Sequence, residues 1–145
     1  MAHELEIVNG NAQMAYVGEK PWHRLGTAVE EGIMPLEMME VAGLDWAVEK
    51  RDLSVMSFDG TKIKVPGKKA LMRENDNKIL DIVGEDWQPV QNAEAFKFFE
   101  EFCKEGSIKM HTAGSLFGGK KVWALGKISS DFELFNGDKV EGFLL

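Results

Sequence analysis

The stretch GSLFGGKK, Gly114–Lys121, decides the fold, because it admits two incompatible readings. Its spacing of glycine, four residues, glycine and lysine is that of a phosphate-binding loop. Such a loop needs Ser or Thr after the lysine to ligate Mg²⁺, and it must open a helix whose free amides receive the phosphate. Here Lys121 takes the place of the hydroxyl. Outward from the glycines the chain has period two: Ile108, Met110 and Thr112 on one side, Val122, Ala124, Gly126 and Ile128 on the other. Alternation of that kind builds strands. Gly118-Gly119 is therefore read as a hairpin turn, where glycine meets no steric penalty at positive φ, and the phosphate-loop reading is set aside.

Upstream, Asn92 can cap a helix running to about Glu105, with Phe96, Phe99 and Cys103 along one side and Phe102 extending it, and Gly106 closes it. Pro35 suits the first turn of a shorter helix over 35–42, ended by Gly43. From Leu44 the period is two, but Leu44, Trp46 and Val48 have one parity and Leu53 and Val55 the other. A β-bulge or strand break between Glu49 and Asp52 would repair the mismatch. Asp59-Gly60, Pro66-Gly67 and Asp76-Asn77 read as turns that cut the region into short strands near 61–65, 69–74 and 78–83. Asn136-Gly137 offers another hairpin, joining Phe132–Phe135 to Val140–Leu145. Residues 1–33 hold no sustained period and read as a loop-rich arm before a single domain over 34–145. The expected fold is α+β: a mainly antiparallel sheet of meanders and hairpins, with the 92–105 helix on one face.

Of the 145 residues 44% are hydrophobic, enough for a real core. Acidic side chains outnumber basic ones 24 to 17, a net charge of −7, which excludes a globally basic nucleic-acid binder and requires any such contact to use a local patch. Cys103 is the only cysteine, so no internal disulfide and no multi-cysteine metal cage can form, and a reducing cytoplasm fits. The N-terminus lacks the pattern of a signal peptide, and no apolar run approaches a membrane span.

The strongest chemical signal is basic: Lys62, Lys64, Lys68, Lys69 and Arg73 with no acid among residues 61–73. Lys62 and Lys64 share a strand face and could follow a phosphate backbone. Lys120 and Lys121 begin the return strand of the second hairpin, and Trp123 has the parity of Lys121, so a base could stack beside a phosphate contact. The alternative is a solvated face whose lysines discourage edge pairing, with Trp123 in the core. Trp22, His23 and Arg24 form either a ligand or partner contact or an anchor for the arm. Trp87 is either a partner hot spot or a seal between sheet and helix. No metal motif has the required spacing, no cofactor is expected, and no catalytic set is legible, so the chain reads as non-enzymatic.

Three segments, Pro21–Thr27 (PWHRLGT), Asp86–Phe96 (DWQPVQNAEAF) and Thr112–Leu116 with Gly118-Gly119 and Val122–Ala124, resemble a family of phage- and plasmid-encoded proteins known as a domain of unknown function, number 932. The resemblance implies a phage, prophage or plasmid origin and a bacterial host cytoplasm, and no activity. Members of that family are usually longer, so the chain reads as a short member or the front part of a longer protein. The expected function is binding of nucleic acid, single-stranded DNA in particular, through the 61–73 meander and the 118–123 hairpin. The alternative is an acidic module that binds a host or phage protein. No membrane contact is expected, and self-association through an exposed final strand is open.

Overall fold

A computed structural model describes residues 4–130, 132–133 and 139–145, the pairs 132–133 and 139–140 as backbone. The Asn136-Gly137 turn expected from the sequence lies outside the described residues, as does His3. In chain order the elements are β1 (Ile7–Val8), β2 (Asn11–Ala12), β3 (Met14–Val17), β4 (Thr27–Val29), α1 (Pro35–Val41), β5 (Val48–Met56), β6 (Lys62–Arg73) and β7 (Ile79–Gly84). They continue with α2 (Asn92–Lys104), β8 (Ile108–Leu116), β9 (Lys121–Ile128), β10 (Phe132–Glu133), β11 (Lys139–Val140) and β12 (Phe143–Leu144). The fold is α+β. It divides into two compact units, Met1–Asp45 with Asn92–Leu145, and Trp46–Gln91.

In the first unit five strands lie in the order β12-β9-β8-β3-β4, antiparallel except for the parallel pair β3 and β4. The β8–β9 hairpin expected from GSLFGGKK is present, closed by a short turn in which Phe117, Gly118 and Gly119 have φ of 52°, 66° and 98°. A strand follows Lys120, so the geometry of a phosphate loop is absent. Met110 pairs with Gly126 and Thr112 with Leu125, which leaves His111 as the extra residue of a bulge. The bulge returns Met110 and Ala113 to the same face, where both pack with Met38, Leu44, Phe96 and Phe99 from the helical side. On the opposite face Leu5, Met14 and Tyr16 pack with Leu25, Leu116 and Trp123.

Both helices stop by the same device. Gly43 N–H donates to the Glu40 carbonyl at 3.0 Å and Leu44 N–H to the Met39 carbonyl at 2.9 Å; Gly106 N–H donates to Cys103 at 3.1 Å and Ser107 N–H to Phe102 at 3.0 Å. This is a Schellman ending, which needs a left-handed residue, and Gly43 and Gly106 each have φ of 74°. The Asn92 amide donates to the Leu44 carbonyl at 2.9 Å, tying the start of α2 to the end of α1.

The sequence boundary at residue 33 does not divide the structure. β3 lies inside the sheet, pairing Ala15 with Ala113 of β8 and with Thr27 of β4, and Ala15 is fully buried. A short strand buried on both faces has no polar alternation to reveal it.

In the second unit β5, β6 and β7 form an antiparallel sheet. The expected turns at Asp59-Gly60 and Asp76-Asn77 are present, with Gly60 at φ 86° and Asn77 at φ 57°. Pro66-Gly67 is not a turn but part of a bulge within the single strand β6: Asp52 pairs with Lys69, and Ser54 pairs with Lys64. The surplus residues lie on β6, where Pro66 has no N–H to leave unpaired. The bulge or break expected between Glu49 and Asp52 is absent: β5 pairs in regular register from Val48 to Asp52, and the shift comes beyond Asp52 with its surplus residues on β6, so the parity along β5 does not change.

Candidate nucleic-acid interface

Charge is sorted along the chain. Residues 46–91 hold eight basic and eight acidic side chains, so the whole negative excess lies in the first unit; within residues 48–73 seven basic side chains face three acidic ones. This segment is the β5–β6 hairpin.

Its apex is held by its own side chains. Ser57 N–H donates to the Thr61 carbonyl at 2.8 Å and Gly60 N–H to the Ser57 carbonyl at 3.0 Å. Thr61 N–H donates to Ser57 Oγ at 2.9 Å and to the Asp59 carboxylate at 3.0 Å, and the Ser57 hydroxyl donates to the same carboxylate. These donors, the Ser57 hydroxyl foremost, lower the Asp59 pKa to about 2. The closed turn leaves Phe58 fully exposed, beside the exposed apolar side chains of Val55, Met56 and Ile63.

Lys62 pairs with Met56 and Lys64 with Ser54, so the two lysines share a face as expected. Lys62 and Lys68 are exposed and make no ion pair among the described residues. Lys64 and Lys69 converge on Asp52, at 3.2 and 2.6 Å. The hydrogen bond from Lys69, then that from Lys64, lowers the Asp52 pKa, and Asp52 raises that of Lys69. Lys69 also lies 4.0 Å from Glu85 and is the more covered of the two.

Arg73 is a correction to the site read from sequence. It is 3% exposed, its Nε and terminal nitrogen donate to the Asp76 carboxylate at 3.0 and 2.7 Å, and its guanidinium lies 5.0 Å from the Trp46 ring centroid. Its hydrogen bonds are the main cause that lowers the Asp76 pKa to about 2. A buried, paired guanidinium is not offered to a phosphate.

Lys120, Lys121 and Trp123 belong to the first unit, not to the unit that carries the hairpin. Lys121 is exposed, with Nζ 5.4 Å from the Phe117 ring centroid. Trp123 shares its strand face, but the indole is spent on packing: a Cβ at Gly114 would fall 2.2 Å from the ring, and Nε1 donates to Thr112 Oγ1 at 3.2 Å. Trp22 is 81% exposed and does not anchor the arm. It meets His23 edge-on at 5.5 Å in a turn where Arg24 N–H donates to the Pro21 carbonyl at 2.8 Å, Arg24 has φ of 59°, and His23 Nδ1 accepts from Leu25 N–H at 3.1 Å. Trp87, just beyond β7, is about half exposed. His111 packs against Phe143, 5.5 Å between centroids.

Phe58 and Met56 were not singled out in the sequence, although an aromatic immediately before an Asp-Gly turn between two alternating runs is a readable signal of an exposed apex. On the sheet a depression of about 160 Å³, lined by Glu49, Arg51, Met72, Glu74 and Asn77, is smaller than a usual small-molecule pocket. Among the described residues no helix is long and apolar enough to cross a membrane.

The molecule is therefore an α+β protein whose second unit presents a basic hairpin with an aromatic apex. Residues 79–145 match the family described as a domain of unknown function, DUF932, the family that the sequence motifs resemble. Asp86–Phe96 and Thr112–Ala124 lie inside the match; Pro21–Thr27 and the β5–β6 hairpin lie outside it. No curated protein and no solved structure matches the chain.

Proposed function

We propose that this chain is a non-enzymatic nucleic-acid-binding protein that holds single-stranded DNA on the β5–β6 hairpin. The carrying observation is the sorting of charge: six basic side chains, the buried Arg73 apart, against three acidic ones on a hairpin whose ordered apex exposes Phe58, in a chain of net charge −7. Lys62, Lys64 and Lys68 meet phosphates, and Phe58 offers a ring on which an unstacked base can lie, the pairing that sequence-tolerant single-strand binders use. Lys120 and Lys121 form a separate basic pair on the first unit. The phage or plasmid origin and host cytoplasm implied by the resemblance supply the setting.

The test is the variant Lys62→Glu/Lys64→Glu/Lys68→Glu, whose exposed positions leave the fold intact by circular dichroism. Binding of a single-stranded oligonucleotide is lost, and Phe58→Ala weakens it by roughly 5- to 150-fold, the equivalent of about 1–3 kcal/mol of stacking. Unaltered affinity in the folded triple variant sinks the reading.

A second reading, a module that contacts a host or phage protein, draws on Trp22, whose indole stands out on a hydrogen-bonded turn. Capture of a stoichiometric partner that Trp22→Ala abolishes would favour it; retention of that partner by the variant would remove it.

A further inference from the structure

The outward side of α2 carries the complement of the hairpin. Phe98 is 60% exposed and meets the partly buried Phe102 edge-on, 5.2 Å between centroids. Glu94, Glu101 and Glu105, each three or four residues from one of these rings, rim the pair and are exposed. Lys104 reaches Glu101 at 3.7 Å and Glu100 at 3.5 Å, and Lys97 adjoins Phe98, so three rim carboxylates face two lysines and the rim keeps a net negative charge. An aromatic pair ringed by carboxylates suits a partner with apolar side chains ringed by cations. The β5–β6 apex sets Met56 and Phe58 beside Lys62 and Lys64, while its one carboxylate, Asp59, is bonded within the turn by Ser57 and Thr61.

We propose that this chain associates with a second copy of itself, the β5–β6 apex of one copy seated on the Phe98–Phe102 face of the other. A second copy is the occupant because each copy carries both complementary patches, one in a unit of balanced charge and one in the unit that holds the whole negative excess. The two patches differ, so every contact joins an apex to a helix face. It weakens with salt, because its rim is ionic and exposed. The inference does not rest on nucleic-acid binding, although a strand held on the apex would compete with it.

The test is sedimentation velocity of the nuclease-treated full chain from micromolar to near-millimolar concentration, with two charge-reversed variants. These are Lys62→Glu/Lys64→Glu on the hairpin and Glu101→Lys/Glu105→Lys on the last turn of α2, where lysines also suit the helix dipole. The wild type rises above 16.2 kDa with concentration and returns to it in high salt; each variant alone stays at 16.2 kDa, and an equimolar mixture of the two regains association. A wild type that stays at 16.2 kDa throughout, or a mixture that does not associate, overturns the proposal. The helix variant keeps the hairpin intact, so it binds an oligonucleotide as the wild type does. Failure of self-association and failure of DNA binding are thus read separately.

Discussion

Replacing Arg73 by methionine should destabilise the protein by about 2–3 kcal/mol at pH 7 and leave DNA affinity unchanged where the variant is folded. The guanidinium donates to Asp76 at 3.0 and 2.7 Å and lies 5.0 Å from the Trp46 centroid. Hydrogen bonds to charged groups contribute roughly 1.5–3 kcal/mol, and a desolvated cation–π contact about 2 kcal/mol. Asp76 is 43% exposed, so its part is reduced by solvent, while methionine keeps much of the packing of the arginine stem. The depressed Asp76 pKa gives a second measure. A fall from 3.8 to about 2 corresponds to at most ~2.5 kcal/mol, and screening at this exposure reduces it to about 1 kcal/mol. Because the folded pKa lies below the unfolded one, this stabilisation is complete above about pH 4 and is lost as pH falls through about 2. Urea unfolding followed by tryptophan fluorescence at pH 7 and pH 3 should therefore show the gap between wild type and Arg73→Met narrowing in acid. Glu31, Asp52 and Asp59 also have lowered pKa values, but they titrate in both proteins and cancel in the difference. A variant as stable as the wild type at pH 7, with weakened oligonucleotide binding, would place Arg73 at the interface and refute the reasoning.

Gly114→Ala should cost about 1–3 kcal/mol and shift the emission of Trp123, because the new Cβ would fall 2.2 Å from its ring; unchanged emission and stability would show that the indole does not lie there. Phe96→Ala removes one of the largest fully buried side chains and should cost roughly 3–5 kcal/mol in chemical denaturation. Trp22→Ala should leave stability within about 0.5 kcal/mol, as expected of a side chain that is 81% exposed; a larger loss would mean that it anchors the arm after all.

Legibility in the sequence followed locality. The β8–β9 hairpin was readable because period two on both sides of a glycine pair leaves one arrangement, and α1 and α2 because their boundaries carry Pro35, Gly43, Asn92 and Gly106. What failed was decided by distant partners. Pro66-Gly67 is a turn where two strands end and a bulge where a partner strand runs past, and only the pairing of β5 with β6 selects between them. β3 was hidden because Met14–Tyr16 are buried without alternation. The division into two units was invisible because the first unit is built from both ends of the chain. In the candidate site the lysine face of Lys62 and Lys64 was legible from parity. The loss of Arg73 was not, because its partners Trp46 and Asp76 come from opposite ends of the hairpin and its following turn.

The most direct measurement is fluorescence anisotropy of a labelled single-stranded oligonucleotide titrated with the protein at low and near-physiological salt. Three phosphate contacts, from Lys62, Lys64 and Lys68, predict that the logarithm of affinity falls against that of salt with a slope of about −2. Absence of binding at low salt, or binding indifferent to salt, would contradict the account.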